Sequence, residues 1–151
     1  TLWASSTGRA LQTLAIVAEH LELDWHDARV DPRLGEIGMG SWGGRYYADV
    51  VGEVGPVIDA QGLLRPAPDG EDYPAIAARV SGWLADTDSD PGDRLVIMHG
   101  ISSRVMRGVM TGAAPGAYGA PVLPGHPQGT VTMIEGGRES LVHLGAGYAP
   151  A

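Results

Sequence analysis

Three side chains could do chemistry by type and setting: His99, Arg9 and Glu36. His99 closes the apolar run Leu95-Val-Ile-Met98 and stands just before Gly100 and a helical stretch. Ligands of open α/β sheets collect at the carboxyl ends of strands, and a helix N-terminus there offers backbone N–H groups to an anion. Gly100 would let the main chain approach such a ligand closely. Arg9 falls in the first turn of a helix introduced by Ser5-Ser6, where a cation opposes the helix dipole unless an anion lies in front of it. Its planar fork suits a phosphate or carboxylate. Glu36 is surrounded by glycines in Gly35-Glu36-Ile37-Gly38-Met39-Gly40. A carboxyl group beside a bound dianion tends to keep its proton and can act as a general acid. Singly, each has a plainer reading: a strand-capping histidine, a solvated arginine, a loop carboxylate facing water.

The elements that must position these groups alternate. Thr1 to Ala4 reads as the tail of a strand, and Ser5 and Ser6 offer N-cap hydroxyls to a helix running to about Leu21. Leu11, Leu14, Ala15, Val17, Ala18 and Leu21 give that helix its three-four rhythm. Trp25 to Val30 is expected to be a short strand broken by Asp31-Pro32, and Arg33 to Arg45 a glycine-rich loop. A short helix is expected over Tyr46 to Val54, an exposed loop to residue 72, and a clearer helix over Tyr73 to Leu84 with Ile76, Val80, Trp83 and Leu84 on one face. Arg94 to Met98 fits a fully buried strand and Ser102 to Met110 the helix after it. Thr130–Glu135 and Ser140–Leu144 pair as a hairpin across Gly136-Gly137. The order implies an α/β three-layer sandwich, with a mostly parallel central sheet flanked by helices, in one domain over residues 1–151.

Composition narrows the function classes. The 151 residues hold no cysteine, which removes disulfides, thiolate metal sites and cysteine nucleophiles. Ten basic residues against 18 acidic ones give a net charge of -8, which argues against nucleic-acid binding. All the basic residues are Arg, so any anion site must be built from Arg, His and backbone N–H groups. No apolar run approaches the roughly 18 residues of a membrane span, and no signal peptide opens the chain, so a cytoplasmic setting is expected. Asp86, Asp88 and Asp90 lie on a turn expected to be solvated, and no metal or other cofactor is implied. Oligomeric state is left open.

In order along the chain, Ser5-Ser-Thr-Gly-Arg9-Ala10-Leu-Gln12-Thr13, Arg33-Leu34-Gly35-Glu36 with Gly40-Ser41-Trp42-Gly43-Gly44, Gly70-Glu71-Asp72 before Ala78-Arg79-Val80, and Met98-His99-Gly100-Ile101-Ser102-Ser103-Arg104 resemble the motifs of the histidine phosphatase, or phosphoglycerate-mutase-like, family. The resemblance implies a phosphoglycerate-mutase-like fold and transfer of a phosphoryl group from a small phosphorylated metabolite to a histidine, which water or a second substrate then resolves. His99 would be the second histidine, bonded to the transferring phosphoryl group, and Arg9 an arm of the phosphate clamp. Glu36 would be the acid and then the base, Ser5 and Gly100 would support the site, and Arg104 would make a structural ion pair. Hydrolysis is expected rather than mutase transfer or binding without turnover. The family's Arg-His-Gly, which carries the nucleophile at the end of its first strand, has no match here, so that strand is expected upstream of residue 1. His20, His26, His126 and His143 are poor substitutes for it. Ser6-Thr7 stands where Pro-Leu is usual, and Asp72 where Ser is usual.

Overall fold

The structure, a computed structural model, describes residues 1–147. Its elements run β1 (Leu2–Ala4), α1 (Gly8–His20), β2 (Arg29–Val30), α2 (Tyr47–Val54), α3 (Tyr73–Thr87), β3 (Leu95–Ile97), α4 (Gly100–Thr111), β4 (Val131–Glu135) and β5 (Arg138–His143). The parallel sheet has the order β2-β1-β3, with Trp3 opposite Arg29 on one side and Val96 on the other.

Alternation along β1 divides the apolar residues between the two faces of the sheet. Leu2 and Ala4 pack with Leu14 and Ala18 of α1 on one face. Trp3 faces the opposite way, into the larger core with Leu34, Ile76, Val80, Trp83 and Val105. The result is an α/β arrangement in three layers: α1, then the parallel sheet, then α3 with α4. Trp83 is 1% exposed and meets Trp3 edge-on, with ring centroids 5.3 Å apart at 87°. Among the described residues, no helix is long and apolar enough to cross a membrane.

Several local expectations change. Helix α1 starts at Gly8 with Thr7 as its N-cap, so Ser5 and Ser6 do not cap it. Ser5 is fully buried and bonds elsewhere. Trp25–Asp27 is a turn of 3₁₀ helix rather than strand, because the Asp24 carboxylate accepts the His26 N–H at 2.9 Å and starts the turn. Only Arg29–Val30 then pairs with β1. The loop 33–45 contains two further 3₁₀ turns, Pro32–Leu34 and Gly40–Trp42.

Strand β3 is less buried than its apolar run suggested: Leu95 is 38% exposed. Its Leu95 and Ile97 peptide groups bond toward β1, so those of Val96 and Met98 face the other way. No strand among the described residues pairs along that outer edge. The hairpin β4–β5 forms a separate antiparallel pair, turned at Gly136 and Gly137 with φ of 54° and 75°, as a type I′ turn requires. It is pinned to α4 by Arg107–Glu139 at 2.6 Å.

The core assignment makes a direct prediction. Trp83→Ala should lower unfolding free energy by about 3–5 kcal/mol, the usual range for a buried Trp. The loss is one of packing, because the buried indole N–H has no hydrogen-bond partner. Chemical denaturation measures it, and Ile16→Ala, 58% exposed on α1, is the control expected to shift stability by less than about 0.5 kcal/mol.

Candidate active site

The parallel strands deliver the candidate residues to one end of the sheet. β1 runs into Ser5, whose N–H donates to the Ile97 carbonyl of β3 at 2.9 Å. β3 runs through Met98 into His99. β2 ends at Asp31, whose N–H donates to the Ala4 carbonyl at 3.1 Å and whose carboxylate accepts the Arg33 N–H at 2.8 Å. That bond starts the 3₁₀ turn leading to Glu36. The site therefore lies at the carboxyl ends of three neighbouring strands, where open α/β sheets bind ligands.

His99 is 8% exposed and uses both ring nitrogens. Arg9 Nε donates to Nδ1 at 3.1 Å. An arginine can only donate, so Nδ1 is the acceptor and the ring proton of the neutral imidazole is on Nε2. Nε2 lies 2.7 Å from Ser5 Oγ and 3.1 Å from Thr7 Oγ1. Burial first, and then the Arg9 charge, pushes the His99 pKa below the ordinary 6.5; Arg79 adds to this and Glu36 opposes it.

Glu36 has crossed from its loop to the start of α4. Oε1 accepts the N–H groups of Ile37 and Ser102, both at 3.0 Å, and Oε2 accepts that of Ile101 at 3.1 Å. His99, the N-cap of α4, makes no capping bond of its own, so Glu36 caps the helix from outside. A Cβ on Gly100 would meet Oε2 at 3.6 Å, an ordinary contact, so packing alone does not demand glycine there.

The sequence reading missed the residues that hold this arrangement. Arg79 on α3 pairs with Glu71 at 2.6 Å and donates to the main-chain carbonyls of Arg33 and Glu36. Glu71 also takes the Gly38 N–H at 3.1 Å. Asp69 holds Ser41 across the same loop, and a Cβ at Gly40 (φ 49°) would fall 2.6 Å from Asp69 Oδ1. Ala78-Arg79-Val80 stood out as a motif, but its partners lie across the fold and leave no local trace. Thr7 stood out only as a departure, with Ser6, from the usual Pro-Leu.

One other expectation is revised. Among the described residues, Arg104 has no ion-pair partner within 4.0 Å; it donates to the carbonyls of Gln61, Gly62 and Leu123. Asp86 and Asp90 are paired with Arg33 and Arg29, each at 2.6 Å. His26 lies against Trp25 with its ring tilted by 39°, and His126 lies 3.5 Å from Glu139. His20 ends α1 and His143 ends β5. None of these four is among the bonded partners of His99.

A family model, the histidine phosphatase superfamily (branch 1), matches residues 1–146. The chain belongs to the histidine phosphatase superfamily. Solved structures agree on the fold. A mycobacterial glucosyl-3-phosphoglycerate phosphatase superposes with a TM-score of 0.69 at 21% identity, covering 97% of this chain and 77% of its own. YhfR from Bacillus stearothermophilus gives 0.68 at 19% identity, over 99% of this chain and 74% of its own. The α-ribazole phosphatase of Shigella flexneri gives 0.64 at 20% identity, over 95% and 71%. No curated protein matches the sequence.

The depressed His99 pKa links stability to pH. A histidine harder to protonate when folded binds more protons unfolded, so its contribution is complete above the ordinary 6.5 and lost as pH falls below it. Urea unfolding of this chain should therefore show stability declining below pH 6.5, and His99→Asn should flatten that decline. An unchanged slope in the variant would remove the assignment of a neutral, buried imidazole.

Proposed function

We propose that this chain is the phosphate-handling part of a phosphomonoesterase that acts on a small phosphorylated metabolite. The observation that carries the reading is the convergence of Arg9 and His99, 3.1 Å apart, with Glu36 held at the adjoining helix start. An ester dianion entering there would meet a guanidinium fork that favours charge building on the transferring phosphoryl group, and an imidazole beside it. Glu36 would protonate the leaving alkoxide and, once deprotonated, take a proton from the water that resolves the intermediate. Hydrolysis is preferred over mutase transfer because the structural neighbours named for an activity include two phosphatases.

The phosphoryl acceptor in this reading is a histidine on a strand preceding Thr1. It would transfer the group in two steps, each with a lower barrier than direct attack by water. The outer edge of β3 supports that placement, because no strand of the described residues pairs along it and the strand runs directly into His99. A second reading follows from the same residues: without an imidazole facing His99, the site would hold a phosphate ester and not turn it over.

Hydrolysis of p-nitrophenyl phosphate and a panel of sugar and nucleoside monophosphates by the full chain separates the readings. In the leading one, Glu36→Ala and His99→Ala each lower kcat by about 10²-fold or more. Arg9→Ala acts on KM as well, through lost phosphate binding. Wild-type rates in both Glu36→Ala and His99→Ala would end this site assignment, and tight phosphate binding without hydrolysis would favour the second reading.

A further inference from the structure

Thr7 is the N-cap of α1, and a threonine there ordinarily turns its hydroxyl onto an N–H of the first helical turn. Here it makes no capping bond. Its hydroxyl is drawn the other way: Oγ1 lies 3.1 Å from His99 Nε2 and accepts the Ser5 hydroxyl at 3.3 Å. The Thr7 N–H donates to Ser5 Oγ, also at 3.3 Å. These bonds orient Ser5. Its hydroxyl proton points to Thr7, so the lone pair left on Oγ faces Nε2, 2.7 Å away.

We propose that Thr7 is a positioning residue for His99, which through its own hydroxyl and that of Ser5 holds the ring proton on Nε2 and leaves Nδ1 as the atom that serves the bound phosphate group. The proposal rests on the phosphate reading above and extends it to the direction in which the imidazole acts. Arg9 Nε occupies Nδ1 in the ligand-free protein. When an anion draws Arg9 to itself, Nδ1 loses its donor and faces a phosphate oxygen. It bonds an unprotonated oxygen of the anion by taking up a proton from solvent. The imidazolium then donates Nδ1–H to the anion and Nε2–H to the Ser5–Thr7 pair, with both protons accounted for. Without the Thr7 hydroxyl, Ser5 can rotate and donate to Nε2, the proton can move to Nδ1, and the Arg9–His99 bond is lost.

Long-range ¹H–¹⁵N spectra of the ¹⁵N-histidine-labelled full chain, with and without inorganic phosphate, read both ring nitrogens of His99. In the wild type the free ring should carry its proton on Nε2, and phosphate should move Nδ1 to a protonated shift. Thr7→Val should give mixed tautomers, with part of the free ring carrying its proton on Nδ1. Thr7→Ser, which keeps the hydroxyl, should restore the Nε2 tautomer, whereas a purely structural role for Thr7 would leave the tautomer unchanged. A Thr7→Val ring that keeps its proton on Nε2 overturns the proposal. Should the wild type bind no phosphate, the phosphate reading fails, while the free-ring tautomers of wild type and variant still decide the role of Thr7.

Discussion

The parallel pairing of β1 with β3 is the constraint on which the site depends. One bond, from the Ser5 N–H to the Ile97 carbonyl, registers the end of one strand against the end of the other. Because the strands run the same way, both chains leave the sheet on the same side, and Ser5 and His99 emerge as neighbours although 94 residues separate them. An antiparallel pair in the same place would send them to opposite ends. Parallel pairing also forces helical crossovers. The crossover after β1 is α1, which carries Arg9, and β3 runs directly into α4, whose first turn receives Glu36. The chemistry is assembled by topology before any side chain is chosen.

Charge in the pocket opposes charge in the chain. The protein carries a net -8, which repels an anionic ligand at long range. At short range the balance changes. Arg9 contributes a full positive charge, while the partial charge at the start of α4 is met by the Glu36 carboxylate. The neutral His99 avoids placing a buried positive charge beside Arg9, in keeping with its lowered pKa. Other arginines are held away from the site by partners: Arg29 and Arg33 by carboxylates, Arg104 by main-chain carbonyls. Among the described residues, the Arg9 side chain bonds to His99 alone.

Much of this was legible in the sequence, because local rules write it there. The apolar rhythm of α3, the Gly136-Gly137 turn and the run into His99 all depend on residues within a few positions of one another. What escaped depends on bonds across the fold or on competition between nearby ones. Ser5 was expected to cap a helix, but the partner that claims it is 94 residues away. Trp25 looked extended by composition until the Asp24 side chain bent the chain back. The apolar run of β3 correctly marked a strand, yet burial is set by what lies on each edge, and an open edge leaves no signature in the run itself.

Glu36 shows how far a fold must go to place one carboxylate. Its loop has almost no regular structure to stiffen it, so its stiffness comes from outside. Arg79 grips two carbonyls of the loop, Glu71 takes an N–H, and Asp69 holds Ser41 where the main chain passes too close for any residue but glycine at position 40. Each bond satisfies a backbone group that would otherwise face solvent or the core, so bracing the loop and completing its hydrogen bonding are one act. Arg79 and Glu71 both belong to the α3 region, and α3 is anchored by Ile76, Val80 and Trp83 in the main core. The position of the candidate acid is thereby tied to the hydrophobic packing beneath the sheet. The loop can be short of secondary structure and still hold its carboxylate at the start of α4.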